Sequence, residues 1–493
     1  MNRTAENTGT VAASSGQRGT DMSERLQMGV RFHQSGELQK AEELYEEILK
    51  SDPVHADAMH LLGFIRHQTG DNAAAAALIR MAIRIHADSP DYYNSLGLVL
   101  KAQGKIEEAV SCYQKALSLK PDMTEALNNL GIAFQGQGKH DKAVACYRKI
   151  LETGPDIAEV HNNMGNAFKE MGKPEAATAS YKTALQIRPD YAEAWFNMAN
   201  TCLERNRFHD AIYYYRKGLE LNPVCAEACY NMANAHYELG QLEAAINGYS
   251  RAVRLKPDFT AAYDNMGKAW QDMGRLEEAL ACYEKTLRLE PENADTHFDR
   301  SLLLLLSGNF KEGWKEYEWR FVKSGWKKVY PHRLAIPRWD GSDFEGKRLL
   351  VHAEQGLGDT IQFARYLPMV KKKGGEVVFE VKEALIPLFR NFPGIDGLRA
   401  LSPTEQPATD FDLFIPLLSL PGLFTTTPAT IPAKIPYLYA DPRKTQYWRT
   451  QLPGRGLKAG VVWAGSPGNN DDRNRSCNLS HFFPLARITA LKL

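Results

Sequence analysis

The chain has 493 residues, is 44% hydrophobic and 24% charged, and carries a net charge of +1. Its length predicts more than one domain and its composition an ordinary soluble protein, while the near-zero charge gives no global electrostatic case for nucleic acid or an anionic membrane. Seven scattered cysteines without a CxxC pair argue against metal binding or disulfide chemistry and suit a reducing compartment.

Residues 1–20 are polar and rich in Gly, Ser and Thr, without the apolar core of a secretory signal, and read as a disordered leader. The leucine run Leu302–Leu306 is too short to cross a bilayer, so a cytoplasmic location and no membrane partner are expected. From residue 21 a 34-residue period takes over. It carries one small residue at Gly29, Gly63, Gly97, Gly131, Gly165, Ala199, Ala233, Gly267 and Ser301, and a second seven residues later at Gly36, Gly70, Gly104, Gly138, Gly172, Asn206, Gly240, Gly274 and Gly308. Alanine recurs five residues after that, a large residue, usually Tyr, four further on, and proline closes most units. Each unit predicts two helices: one with an apolar stripe such as Trp195, Met198, Ala199 and Cys202, a left-handed turn at the second glycine, and a second helix such as 209–221. The proline is expected to begin the next helix, where its missing N–H costs little. Cys112, Cys146 and Cys282 share one repeat position beside the tyrosine and read as packing residues.

This pattern resembles the tetratricopeptide repeat family and implies an α-solenoid over residues 21–322, with eight full repeats and a partial ninth. With the first small residue as position eight, position six reads Ser95, Asn129, Asn163, Asn197, Asn231, Asn265 and Asp299, and position nine adds Asn166, Asn200 and Asn234. At about 100° per residue these positions lie opposite the buried stripe, on the exposed side of the first helix. Asparagine is a poor helix former, so its repetition suggests a use: an amide donor and acceptor that clamp the backbone of a bound peptide. The competing reading is that the amides cross-link neighbouring repeats or spread by duplication. The ladder also resembles the one in protein O-GlcNAc transferases, which implies an acceptor polypeptide as partner.

After Arg320 the texture changes. Residues 323–346 read as an ordered linker, and an alternation of strand and helix then predicts a parallel α/β sheet. Expected strands are 348–353, 376–381, 411–416 and 458–463, with helices over 360–373 and 382–391. Between the first strand and helix lies Glu354-Gln355-Gly356-Leu357-Gly358-Asp359, where Gly356 and Gly358 allow a tight turn and Asp359 sits at a helix N-terminus. On pattern alone, Asp359 is more simply a helix cap.

The stretch Gly346–Pro368 resembles the opening of the glycosyltransferase region in bacterial tetratricopeptide-repeat glycosyltransferases, relatives of the heptosyltransferase type with a GT-B fold of two Rossmann-like domains. The resemblance implies an acceptor-side domain at 347–455, with Gly358, Asp359 and Pro368 matching a GD…P motif and Asp359 as general base for the acceptor hydroxyl. Gly460–Ser476 is similar to the start of the donor-side domain, which implies that Arg473, Arg475 and Ser476 hold the diphosphate of a nucleotide-sugar. Asn469 stands where relatives often carry histidine, which weakens an acid–base role for that loop. The donor-side domain, 456–493, is about 35 residues long, so the sequence is expected to be a truncated form that binds donor poorly and turns over little. The resemblance implies no metal and no covalently bound cofactor. The alternative is a non-catalytic repeat scaffold with a remnant transferase domain.

Overall fold

The computed structural model describes residues 9–323, 336–401, 410–451, 457–458, 477 and 491–492. They fall into two compact units, Met1–Pro291 and Glu292–Leu493. The first consists of helical pairs that begin with α1 (Gly9–Gln34) and α2 (Leu38–Ser51), so helix already starts within the stretch read as a disordered leader. Consecutive pairs follow the period, as in α5 (Pro90–Ala102) with α6 (Ile106–Leu119), and α9 (Ala158–Glu170) with α10 (Pro174–Ile187). With the ninth pair, α17 (Ala294–Leu306) and α18 (Phe310–Tyr317), the period yields eighteen helices among the described residues, an α-solenoid architecture.

The period works through two kinds of small residue. Within a pair, the first helix presents glycine to the tyrosine of the second. A Cβ added at Gly131 would stand 2.6 Å from Tyr147 Cε1, and one at Gly267 the same distance from Tyr283 Cε1. The tyrosine rings at 45, 113, 147, 181, 215, 249 and 283 are fully buried. Each removes roughly 150–250 Å² from water, on the order of 4–6 kcal/mol before entropy, which explains why the pattern repeats. Between helices the second glycine has a left-handed backbone, for example φ +76° at Gly104, and Asn206 takes the same conformation at φ +57°. There the Gly104 N–H donates to the Lys101 carbonyl at 2.9 Å and Lys105 N–H to Leu100 at 2.9 Å, closing the helix end. The prolines lie elsewhere than expected. α7 runs Thr124–Gly136, so Pro121 occupies the turn before it, and only Pro90 stands at the start of a helix in the repeats' first-helix series.

In the second unit a four-stranded parallel sheet has the order β3-β2-β1-β4, with β1 Arg348–His352, β2 Glu376–Val381, β3 Gly397–Ala400 and β4 Leu413–Pro416. Its core unites Leu349, Val351, Phe379 and Ile415 with Phe298 and Tyr317, so the ninth helical pair packs in the same unit as the sheet. The single helix expected over 360–373 is three pieces: α19 (Leu357–Phe363), a 3₁₀ turn at Ala364–Tyr366 and α20 (Leu367–Lys371). Pro368, which has no N–H to bond back to the preceding turn, accounts for the break. Pro387 acts similarly in the second expected helix, where a 3₁₀ turn precedes a short α21 (Ile386–Phe389). Beyond residue 451 the described residues include only a two-stranded pairing, β5 (Leu457–Lys458) with β6 (Leu491–Lys492). The strand expected over 458–463 lies largely outside the described residues.

Candidate functional site

Each unit offers one candidate site. In the first unit the asparagines are half-buried, not exposed. The face lies open on an isolated helix, but the first helices of successive repeats pack side by side and enclose it from both flanks. Each position-six amide donates across to the preceding repeat. Asn129 Nδ2 reaches Asn94 Oδ1 at 3.0 Å, Asn163 reaches Asn128 at 3.3 Å and Asn197 reaches Asn162 at 3.0 Å. Asn231 Nδ2 reaches Asn200 Oδ1 at 3.2 Å and Asn265 reaches Asn234 at 3.0 Å. Ser95, at the same position, bonds His60 across 2.8 Å.

The position-nine asparagines have a further partner that sequence reasoning missed, the buried tyrosine hydroxyl. Tyr181 donates to Asn166 Oδ1 at 2.8 Å and Tyr249 to Asn234 at 2.7 Å, and Tyr215 bonds Asn200 in the same way. The stripe is therefore an internal network from core tyrosine to position-nine carbonyl, joined in two repeats by a position-six amide. It also leaves groups unspent. Among the described residues, no hydrogen bond engages Oδ1 of Asn129, Asn163, Asn197, Asn231 or Asn265, nor Nδ2 of Asn166, Asn200 or Asn234. Acceptors and donors thus remain in one stripe, the complement an extended backbone requires. A recess of about 530 Å³ adjoins it, lined by Leu203, Phe208, Asn234, Tyr237, Asn265 and Lys268 among others.

In the second unit, the loop after β1 lies at the carboxyl ends of the strands. The order β3-β2-β1-β4 puts the topological switch between β1 and β4, where ligands of such sheets bind. Gln355 has φ +56°, and its Nε2 donates to the Tyr317 hydroxyl at 2.8 Å while Lys382 Nζ donates to its carbonyl at 2.7 Å. Asp359 Oδ2 accepts the Gly356 N–H at 3.0 Å, reaching back from the third position of α19 to the N-cap backbone. The N-cap is therefore Gly356 and not Asp359, which supports the helix start from within the first turn through one oxygen. Leu357 and Gly358 are exposed, and Asp359 is half-buried. Pro368 packs beside the Gly394 backbone.

The switch point itself holds Arg320, which no sequence pattern marked. It is fully buried and forks onto Glu354, with Nε to Oε2 at 3.2 Å and Nη2 to Oε1 at 3.0 Å; Nη2 also donates to Ser419 Oγ at 2.7 Å. Burial alone would lower the Arg320 pKa, but the carboxylates of Glu354 and Glu318 outweigh it and hold the guanidinium above its ordinary value. A recess of about 620 Å³ in the same unit lies among Pro387, Leu388, Lys444 and Trp448. Arg473, Arg475 and Ser476 lie outside the described residues.

Profile models described as TPR repeat and tetratricopeptide repeat match residues 26–90, 97–138, 122–190, 156–223, 233–274 and 260–293. Protein FlbA of Caulobacter vibrioides (strain ATCC 19089 / CIP 103742 / CB 15) is 34% identical over 190 residues, covering 34% of this chain and 31% of that protein. The chain thus spans about a third of the length of this curated relative. Among solved structures, a chain of the APC/C hetero-tetramer Cut9-Hcn1 is similar with a TM-score of 0.41 and 16% identity, over 55% of this chain and 52% of that one. Pseudomonas aeruginosa pilF gives a TM-score of 0.37 at 22% identity, over 41% of this chain and 92% of that one. YrrB, described as a TPR protein with an unusual peptide-binding site, gives 0.32 at 20% identity, over 38% of this chain and 96% of that one. No helix among the described residues is long and apolar enough to cross a membrane.

Proposed function

We propose that this chain, a tetratricopeptide-repeat protein, holds an extended polypeptide along the asparagine stripe of its repeats. The observation that carries the reading is the division of labour in the amides. One end of each cross-links the solenoid, and the other, Oδ1 at position six or Nδ2 at position nine, stays unspent in the stripe. Such groups engage peptide backbone without reading side chains, so binding is broad in sequence and modest per contact, on the order of 0.5–1.5 kcal/mol each. Titration of the full chain with an unstructured polypeptide, followed by hydrogen-exchange protection, tests this. Protection centred on α9 and the equivalent first helices of the next three repeats supports it, and protection confined to residues 336–451 refutes it.

The finer reading is that the polypeptide is an acceptor for sugar transfer from a nucleotide-sugar. In it, the α/β unit is the acceptor side of a GT-B glycosyltransferase, with Asp359 as the base and Arg473, Arg475 and Ser476 toward the donor diphosphate. It rests on the family-like Gly346–Pro368 segment and on a loop at the carboxyl end of β1, where one Asp359 oxygen is left after the cap is made. A transfer assay with labelled nucleotide-sugar and polypeptide, comparing the chain with Asp359→Asn, tests the role; unchanged turnover removes Asp359 from it. The scaffold alternative draws on Arg320, whose side chain fills the switch point between β1 and β4. It predicts no nucleotide-sugar binding by calorimetry.

A further inference from the structure

The helix Pro442–Gln451 has no buried side chain, although it carries Tyr447 and Trp448, and these two rings and that of Tyr439 just before it are all more than half exposed. On a helix that packs against a core, the positions i, i+3, i+4 and i+7 form the apolar stripe. Here they are Asp441, Lys444, Thr445 and Trp448. That stripe does not close onto the α/β unit. It faces Ala384, Pro387 and Leu388 across the recess of about 620 Å³, a size within the range of roughly 300–1,000 Å³ that small-molecule sites occupy.

Ala384, Pro387 and Leu388 follow the carboxyl end of β2, as residues 354–359 follow that of β1, so the recess lies on the edge of the parallel sheet where ligands bind. Pro387, Leu388 and the Trp448 ring give it apolar walls, and Lys444 and Arg449 bring two cations to it. Arg338, Arg348, Lys371, Lys373 and Arg399 in the same unit all pair with carboxylates, but among the described residues Lys444 and Arg449 make no ion pair. Asp441 is the acid in the lining. Its Oδ1 accepts the N–H groups of Arg443 at 2.7 Å and Lys444 at 3.3 Å, so it serves the start of the helix. Lys444 and Trp448 stand one turn apart, with about 5–6 Å between their Cβ atoms.

We infer that this recess binds a compact organic anion with a flat ring, the ring stacked on Trp448 over Pro387 and Leu388 and the anionic group held by Lys444 and Arg449. The short spacing of Lys444 and Trp448 places the anion close to the ring, the chemistry shared by a nucleoside monophosphate and an aryl phosphate. The residues of this site are separate from the asparagine stripe, so it stands or falls independently of the peptide-groove reading.

Calorimetry on the full chain tests the inference with four probes: AMP and phenyl phosphate, which carry ring and anion; adenosine, the ring alone; and inorganic phosphate, the anion alone. At least one of the first two should bind, more tightly than either part alone and more weakly as salt rises. Binding of AMP without phenyl phosphate identifies a nucleotide ligand, and the reverse a simple aryl phosphate. Trp448→Ala should weaken that binding on the order of tenfold, with Trp448→Phe restoring most of it. Lys444→Gln with Arg449→Gln should weaken it by roughly 2- to 20-fold and flatten the salt dependence. All four positions are exposed on an unburied helix, so urea unfolding of the sheet should be unchanged in each variant. Absence of binding by both AMP and phenyl phosphate overturns the inference. So does binding matched by adenosine or by inorganic phosphate, and so does binding that both Trp448→Ala and the double substitution leave intact.

Discussion

Removing one hydroxyl should have opposite consequences in two repeats that otherwise look alike. Tyr113 and Tyr181 are both fully buried, and both press against a first-helix glycine, Gly97 and Gly165. Tyr181 donates to Asn166 Oδ1 at 2.8 Å, whereas the buried Tyr113 hydroxyl has no partner among the described residues. Position nine explains the difference, because it is Asn166 in one repeat and Leu98 in the other. Tyr181→Phe loses a hydrogen bond and strips Asn166 of its donor, at about 1–2 kcal/mol. Tyr113→Phe deletes an unsatisfied polar group and should be neutral or stabilising by up to about 1 kcal/mol. Repeat arrays do not unfold as one unit, so a single melting curve would blur this contrast. Hydrogen exchange resolves it locally: α10 amides in Tyr181→Phe should exchange roughly 5- to 30-fold faster, with α6 in Tyr113→Phe unchanged or slower. Equal acceleration at both sites would refute the argument that the position-nine amide serves the tyrosine.

Two further outcomes follow from buried groups. Arg320→Met strands the Glu354 carboxylate and should cost the second unit about 3–5 kcal/mol, read as earlier urea unfolding of its sheet; adding Glu354→Leu should restore most of the loss, and failure to do so would mean the pair is not a closed unit. Burial pushes the Cys282 thiol up to about 12, so in the native chain it should resist iodoacetamide at pH 8 while exposed Cys477 is alkylated; labelling of both at similar rates would contradict the packing assignment.

How much of this was legible in the sequence depends on the range of the interactions. The period, the turn glycines and the buried tyrosines were readable because each is fixed within one repeat by sterics alone. Strands 376–381 and 348–353 were readable because buried parallel strands are short runs of β-branched and apolar residues. The half-burial of the asparagines was not, since it depends on neighbouring helices closing over a face that a single helical wheel leaves open. Nor was Arg320, whose partners Glu354 and Ser419 lie 34 and 99 residues away in sequence. The expected helix over 360–373 is broken because Pro368 cannot donate to the preceding turn, a backbone constraint that the apolar pattern does not register. Asp359 was legible both as part of the helix start and as a candidate base, and one oxygen remains for the second role.

The central claim is that the asparagine stripe grips polypeptide with the amide groups its cross-links leave over. Replacing Asn163, Asn197 and Asn231 together by alanine, and measuring polypeptide affinity and thermal unfolding on the same samples, tests it most directly. The account predicts at least a tenfold loss of affinity, the equivalent of a few backbone hydrogen bonds, with a smaller loss of stability from the three severed cross-links. Unchanged affinity with a lowered melting temperature would contradict it and leave the stripe as internal bracing alone.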